Sequence, residues 1–154
     1  MIEENSPHLA EIELRYKSQI SQDAMPELHT AEHVVEYLRK IWNPDTLGFV
    51  EEFYVLYVNS ARKLLGWSKI SQGGRNATIV DISTVLAASL LANAHSIILA
   101  HNHPSGNTTP SRSDINLTQR LAEGLKHIAV KLDDHIILTP TTWVSMNDKG
   151  LIAQ

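Results

Sequence analysis

The chain has 154 residues, 43% of them hydrophobic and 19% charged, with a formal net charge of −4 and no cysteine. That length and mix suit one folded domain with a real core, and the missing cysteines exclude disulfides and thiolate metal sites. Basic residues scattered through a net-acidic chain give no electrostatic footprint for tight, non-specific binding to a phosphate backbone.

The acidic, polar start Met1-Ile2-Glu3-Glu4-Asn5 is unlike a signal peptide, and no apolar run reaches membrane-spanning length. A soluble cytoplasmic protein without membrane contact is therefore expected. Residues 1–26 read as a partly ordered arm with weak helical periodicity at Leu9, Ile12 and Tyr16, and residues 27–154 as the domain itself. Thr30 to Trp42 carries Val34, Leu38 and Ile41 at helical spacing, and Asn43-Pro44-Asp45 stops it. Phe49 to Val58 is aromatic and β-branched, the pattern of a buried strand. After the turn Asn59-Ser60-Ala61-Arg62, Leu64 to Ser71 returns as the second arm of a hairpin. Gly73-Gly74 marks a loop and Ala77 to Val80 a short strand. Asp81 or Ser83 caps a helix that runs to about Asn93; it is apolar on most faces (Val85, Leu86, Leu90, Leu91) and is expected to be largely buried.

Ser96 to Ala100 fits an interior strand. The loop from Asn102 to Pro110 leads to a helix beginning at Ser111 with the stripe Leu117, Leu121, Leu125 and Ile128. Ala129–Leu132, His135–Thr139 and Thr142–Met146 are expected to be three closing strands. The order predicts an α/β fold of the α+β type, a mixed sheet flanked by helices.

Chemistry concentrates at His101-Asn102-His103-Pro104, followed by Ser111 and Asp114. Two histidines one residue apart at a strand end bring both imidazoles near one point. A carboxylate in the first turn of the next helix can return to that point, leaving an open coordination position of the kind zinc enzymes keep for water. Ser111 and Asp114 also read as a helix cap with an acid in the first turn, and the two roles are compatible. Ser111 could besides donate to an oxyanion forming on a polarised carbonyl. A hydrolytic zinc site also needs a general base. Glu51 and Glu52, at the entrance of the first strand, are the candidates, and spacing does not choose between them. His29 and His33 read as a solvated pair. Asp133-Asp134-His135 reads as a turn satisfying its own backbone in preference to support for a metal ligand. Trp42, Trp67 and Trp143 read as core.

On these residues the chain resembles the JAB/MPN metalloprotease superfamily, and within it the RadC family of bacterial proteins, historically described as DNA repair factors. The superfamily pattern is a glutamate, then H-x-H-P, then a serine and an aspartate at the spacing found here. Asn102, Pro104-Ser105-Gly106 and Pro110-Ser111 give the RadC form, and agreement runs from about Ala31 to Leu151. The resemblance implies a layered architecture similar to the cytidine deaminases and zinc ligands at His101, His103 and Asp114. It implies an intermediate-stabilising role for Ser111, and it selects Glu51, two residues before Phe53, as the catalytic glutamate. Two departures stand out. The helix-hairpin-helix region of longer RadC proteins has no counterpart here, and Val80-Asp81-Ile82-Ser83 replaces a Pro-Arg-Glu element. The resulting expectation is a zinc-dependent hydrolase acting on a peptide or isopeptide. The alternatives are a DNA-associated repair or mobile-element protein, or a nuclease, that retains zinc, and a module that grips a C-terminal tail without cutting it.

Overall fold

The computed structural model describes residues 13, 15, 17–73 and 79–153. A short 3-10 turn at Gln22–Ala24 precedes α1 (Ala31–Ile41), a single helical turn α2 (Pro44–Leu47), β1 (Glu52–Val58), β2 (Leu64–Gln72), α3 (Ile82–Leu91), β3 (Ser96–Asn102), α4 (Arg112–Lys126), β4 (Lys131–Leu138) and β5 (Trp143–Ser145). The five strands form one sheet in the order β2-β1-β3-β4-β5. Only the β3–β4 pair is parallel, and α4 makes the crossover that a parallel pair requires. The mixed sheet flanked by helices is the architecture expected from the sequence.

Helices cover both sheet faces, so β1 and β3 are buried at every position. On one face Val34, Val35 and Leu38 of α1 pack with Tyr54, Leu56, Ile98, Ile136 and Leu138. On the other, Val85 of α3 and Leu121 and Leu125 of α4 pack with Phe53, Val55, Ile97 and Leu99. Thr30 caps α1 through the His33 N–H.

Several boundaries differ from the sequence reading, each for a local reason. The Asn43-Pro44 stop is also a start: the Asn43 side chain caps α2, with Pro44 in its first turn. The Phe49 and Val50 N–H groups then close turns onto the Thr46 carbonyl, so the strand begins at Glu52 and Phe49 is exposed. Residues 77 and 78 of the expected short strand lie outside the described residues, and Ile79 and Val80 are not in a strand. Helix α3 is not largely buried. Val85 and Ser89 face the core, but Leu90 and Leu91 are 56% and 57% exposed because no layer of described residues covers the outer side. The first two closing strands are one, β4, which runs straight through Asp133-Asp134 with an irregular register opposite Ile97/Ile98. Of the tryptophans, Trp42 is core and Trp143 half-buried, but Trp67, on the edge strand β2, is 43% exposed. Of residues 1–26, positions 1–12, 14 and 16 lie outside the described residues. Met25 is buried, and the Pro26 carbonyl accepts from Leu64 N–H. Among the described residues no helix is long and apolar enough to cross a membrane.

This layering fixes the place where chemistry can occur. The carboxyl end of β3 lies beside the start of β1, with Phe53 opposite His101, and the first turn of α4 closes over both.

Candidate metal centre

Alternation along β3 sends His101 and Asn102 to opposite faces. His101 lies on the α4 side, stacked at 11° on the Phe53 ring. His103 follows just past the strand end, its N–H held by the Leu138 carbonyl. The chain then reverses through Pro104-Ser105-Gly106, where Gly106 adopts φ +86°, a backbone state that glycine takes without strain. Ser111 caps α4 in a reciprocal capping box: its Oγ accepts from the Asp114 N–H at 3.0 Å, and its own N–H donates to Asp114 Oδ2 at 2.8 Å. The cap therefore does not compete with a second use of Asp114. It aims the carboxylate back at the histidines.

Glu51, His101, His103 and Asp114 each offer a donor atom, and these four atoms lie within 4.8 Å of one another. His101 Nε2 is 2.9 Å from His103 Nε2 and 3.2 Å from Asp114 Oδ1, and His103 Nε2 is 3.2 Å from Asp114 Oδ2. Ligands about 2.0–2.1 Å from a tetrahedral zinc ion stand roughly 3.3 Å apart; the two contacts to Asp114, made through different oxygens, are close to that spacing, and the contact between the histidines is shorter. Glu51 lines the same cleft, about 480 Å³ in volume, with Ser111, Ser113, Asn107 and Thr109. That is room for a bound segment of substrate.

Hydrogen-bond partners determine which ring nitrogens carry protons. His103 Nδ1 is 2.6 Å from the Asn107 carbonyl, which only accepts, so Nδ1 is the protonated nitrogen. His101 Nδ1 is 2.7 Å from His135 Nε2, His135 Nδ1 is 2.7 Å from Thr118 Oγ1, and the Thr118 hydroxyl donates to the Asp114 carbonyl at 2.6 Å. With each group donating once and accepting once, the chain runs from His101 through His135 and Thr118 to the backbone of Asp114. Both Nε2 lone pairs are left facing each other and a carboxylate. Such an acceptor-only triangle can take up a proton or a metal ion, and the donor set of two imidazoles and a carboxylate suits a borderline-soft divalent ion.

With no metal bound, the Asp114 carboxylate favours a proton on His103. Burial works against ionisation of Asp114, but the His101 and His103 rings and the Ser111 N–H outweigh it and hold the carboxyl well below the usual carboxylate range. The Asp114 carboxylate raises His103 against the opposing effect of burial. His135, fully buried beside His101, is pushed well down and stays neutral, as an acceptor from His101 must.

The two candidate glutamates separate by face. Glu51 lies in the cleft, whereas Glu52 points to the opposite side of the sheet, fully buried, paired with Lys69 and accepting from the Tyr54 hydroxyl at 3.3 Å. Burial and the Glu52 charge together push the Tyr54 phenol up to about 12. His29 and His33 are exposed, His29 bonds to Glu27 at 3.0 Å, and neither lines the cleft.

Three further residues act here that the sequence reading left aside. Asp133-Asp134-His135 is not a turn. Asp133 pairs with Arg62 and accepts from Ser96, Asp134 accepts from Ser145 Oγ and Asn147 N–H, and His135 supports His101. Thr118 lies one helical turn after Asp114, a spacing visible in the sequence once Asp114 is placed. Asn102, between the histidines, is fully buried and spends its whole side chain on the segment that carries Glu51. Its Oδ1 accepts from Glu52 N–H at 2.7 Å, and its Nδ2 donates to the carbonyls of Leu47 and Val50, both at 2.8 Å. The strict alternation of a strand is the signal that would have set Asn102 apart from its neighbours.

Residues 28–151 match the family model of the RadC-like JAB domain. The chain belongs to this family. It is 36% identical over 142 residues to a UPF0758 protein of Fusobacterium nucleatum, covering 91% of this chain and 59% of that one. A UPF0758 protein of Methanosarcina acetivorans is 39% identical over 102 residues, covering 66% of this chain and 44% of the relative. One from Pseudomonas syringae pv. tomato is 43% identical over 102 residues, covering 66% and 46%. The chain thus spans about half the length of these RadC-family relatives.

Proposed function

We propose that this RadC-like domain is a zinc-dependent hydrolase of amide bonds, acting on a peptide or isopeptide in the cytoplasm. The supporting observation is the acceptor-only triangle of His101, His103 and Asp114 with Glu51 beside it in an open cleft. In this reading His101, His103 and Asp114 hold the metal, Glu51 transfers the proton and Ser111 donates a hydrogen bond to the developing oxyanion. A zinc ion held there supplies Lewis acidity, lowering the pKa of a water towards neutrality and polarising a carbonyl.

Glu51 takes one proton from water as the water oxygen adds to the carbonyl carbon. It returns that proton to the nitrogen as the carbon–nitrogen bond breaks, leaving a carboxylic acid and an amine. Ser111 Oγ uses its lone pair on the Asp114 N–H and keeps its hydroxyl hydrogen for the oxygen of the tetrahedral intermediate. The His101–His135–Thr118 chain holds the tautomer that presents Nε2.

The test combines elemental analysis with turnover on quenched-fluorescence peptides and isopeptides. Wild-type protein should carry about one zinc per chain, and His101→Ala with His103→Ala should carry none. Glu51→Gln should keep the metal and lose about 100-fold or more in turnover. Metal-free wild-type protein after zinc supplementation, or full turnover by Glu51→Gln, would overturn this function.

A further inference from the structure

The cleft does not end at the metal ligands. Past Val80, Ser113 and Leu117 it continues as a second groove along α4, which these same three residues line together with Arg112, Asn116 and Arg120. Among the described residues no acidic side chain lines this groove. Arg112 and Arg120 are exposed, and neither makes an ion pair or a hydrogen bond with any described residue. In a chain of net charge −4, two unpaired arginines on one groove are a local concentration of positive charge.

Arg112 also breaks a local rule. It occupies the first position of α4, where the helix dipole disfavours a cation. Such departures concentrate at functional positions. Arg112, Asn116 and Arg120 follow one another at four-residue spacing, so they form one stripe beside the Ser113–Leu117 stripe that floors the groove. Eight residues of helix separate the two arginine Cα atoms by about 12 Å, the reach of three to four residues of extended peptide.

We propose that this groove is a substrate subsite for an acidic peptide segment. Carboxylates three or four residues apart pair with Arg112 and Arg120, while the adjoining amide lies in the metal cleft. The guanidinium fork suits carboxylate oxygens, and Val80 and Leu117 accept the apolar edge of the strand between them. Among the described residues the groove's lining includes no aromatic side chain on which a base could stack, which favours peptide over single-stranded nucleic acid. The assignment of an acidic segment to this groove rests on the hydrolase reading of the cleft.

The experiment uses the full chain carrying Glu51→Gln, so that a bound peptide is not cut. Fluorescence anisotropy at low salt compares a fluorescein-labelled Gly-Ser-Asp repeat decapeptide, its Gly-Ser-Asn counterpart and a ten-nucleotide oligothymidine. The Asp peptide should bind about tenfold tighter than the Asn peptide. Adding Arg112→Gln and Arg120→Gln, both exposed, should erase that ratio with the melting temperature unchanged. Oligothymidine affinity should not depend on the two arginines.

Absence of Asp-peptide binding, a preference that survives loss of both arginines, or arginine dependence seen for oligothymidine alone would each overturn the subsite, the last assigning the groove to nucleic acid. The two readings fail separately. Arginine-dependent peptide binding by a protein that cleaves nothing removes the hydrolase and leaves the subsite, whereas cleavage indifferent to both arginines removes only the subsite.

Discussion

Replacing Asn102 with alanine removes three hydrogen bonds at once: one from Glu52 N–H and two to the carbonyls of Leu47 and Val50. Each orphaned buried polar group costs about 1–3 kcal/mol. The three losses are not equal. Val50 is half-buried beside exposed Phe49, so water can replace the bond to its carbonyl, whereas Leu47 and Glu52 are buried and their groups lack that substitute. Adding a small cavity for the missing amide gives about 3 kcal/mol in all. For a chain of this size that is a fall of about 6–12 °C in melting temperature. Asn102→Asp is the sharper control. It keeps the acceptor for Glu52 N–H but sets a carboxylate against two carbonyls, and it should destabilise at least as much.

Function should respond selectively to the same change. The tether belongs to the segment carrying Glu51 and not to the metal ligands, so zinc affinity measured against a chromogenic chelator should change much less than turnover. Thermal unfolding by circular dichroism reads the loss of stability, competition titration the zinc affinity, and cleavage of the quenched-fluorescence substrates the turnover. An Asn102→Ala protein that melts within about 2 °C of wild type would refute the tether and with it the positioning of Glu51.

Other predictions test the remaining contacts. His135→Phe keeps the bulk but removes the acceptor for His101 Nδ1, and zinc affinity in chelator competition should fall about 10- to 100-fold. Thr118→Val strands His135 Nδ1–H and should cost about 1–3 kcal/mol in urea unfolding. Lys69→Met leaves the Glu52 carboxylate buried without its cation. Because the lysine is 37% exposed, the cost should be about 2–3 kcal/mol, less than for a fully buried pair. The Glu52→Gln, Lys69→Met double variant should recover most of it in a double-mutant cycle. Ultraviolet titration should find one tyrosine ionising near 12, and Glu52→Gln should lower it. Since that phenol is raised above its unfolded value of 10.0, the stability it contributes is complete below that pH and drains away as pH rises towards 12. Alkaline unfolding of Glu52→Gln should show a narrower loss.

What the sequence made legible follows from how local each signal is. The helix start at Thr30, the apolar run of β3 and the Ser111–Asp114 cap depend on neighbours within four residues, and each stands where expected. The face of Glu51 depends on where β1 begins. Residue types alone extended that strand back to Phe49 and left both glutamates inside it, and the Thr46 turn that delays the strand to Glu52 is a tertiary result. Asp133-Asp134-His135 carries turn-forming residue types, and only the sheet reveals that each has a distant partner: Arg62, Ser145 and His101. For α3 the even spread of apolar residues predicts burial on all sides, which would require a layer that the described residues do not supply.

Asn102 shows why the intervening residue of the histidine pair is not a spacer. A strand presents successive side chains to opposite faces, so any residue between His101 and His103 must leave the metal side. Here it meets the loop that delivers Glu51. Had that position been apolar, the histidines could still converge, but Glu52 N–H and the carbonyls of Leu47 and Val50 would lose the side chain they now share. Three consecutive residues therefore set two separate geometries. On the proposed reading His101 and His103 fix where a cation lies, and Asn102 fixes how far from it the Glu51 backbone stands. A variant that moves one and spares the other separates metal binding from turnover, which no substitution of His101 or His103 can do.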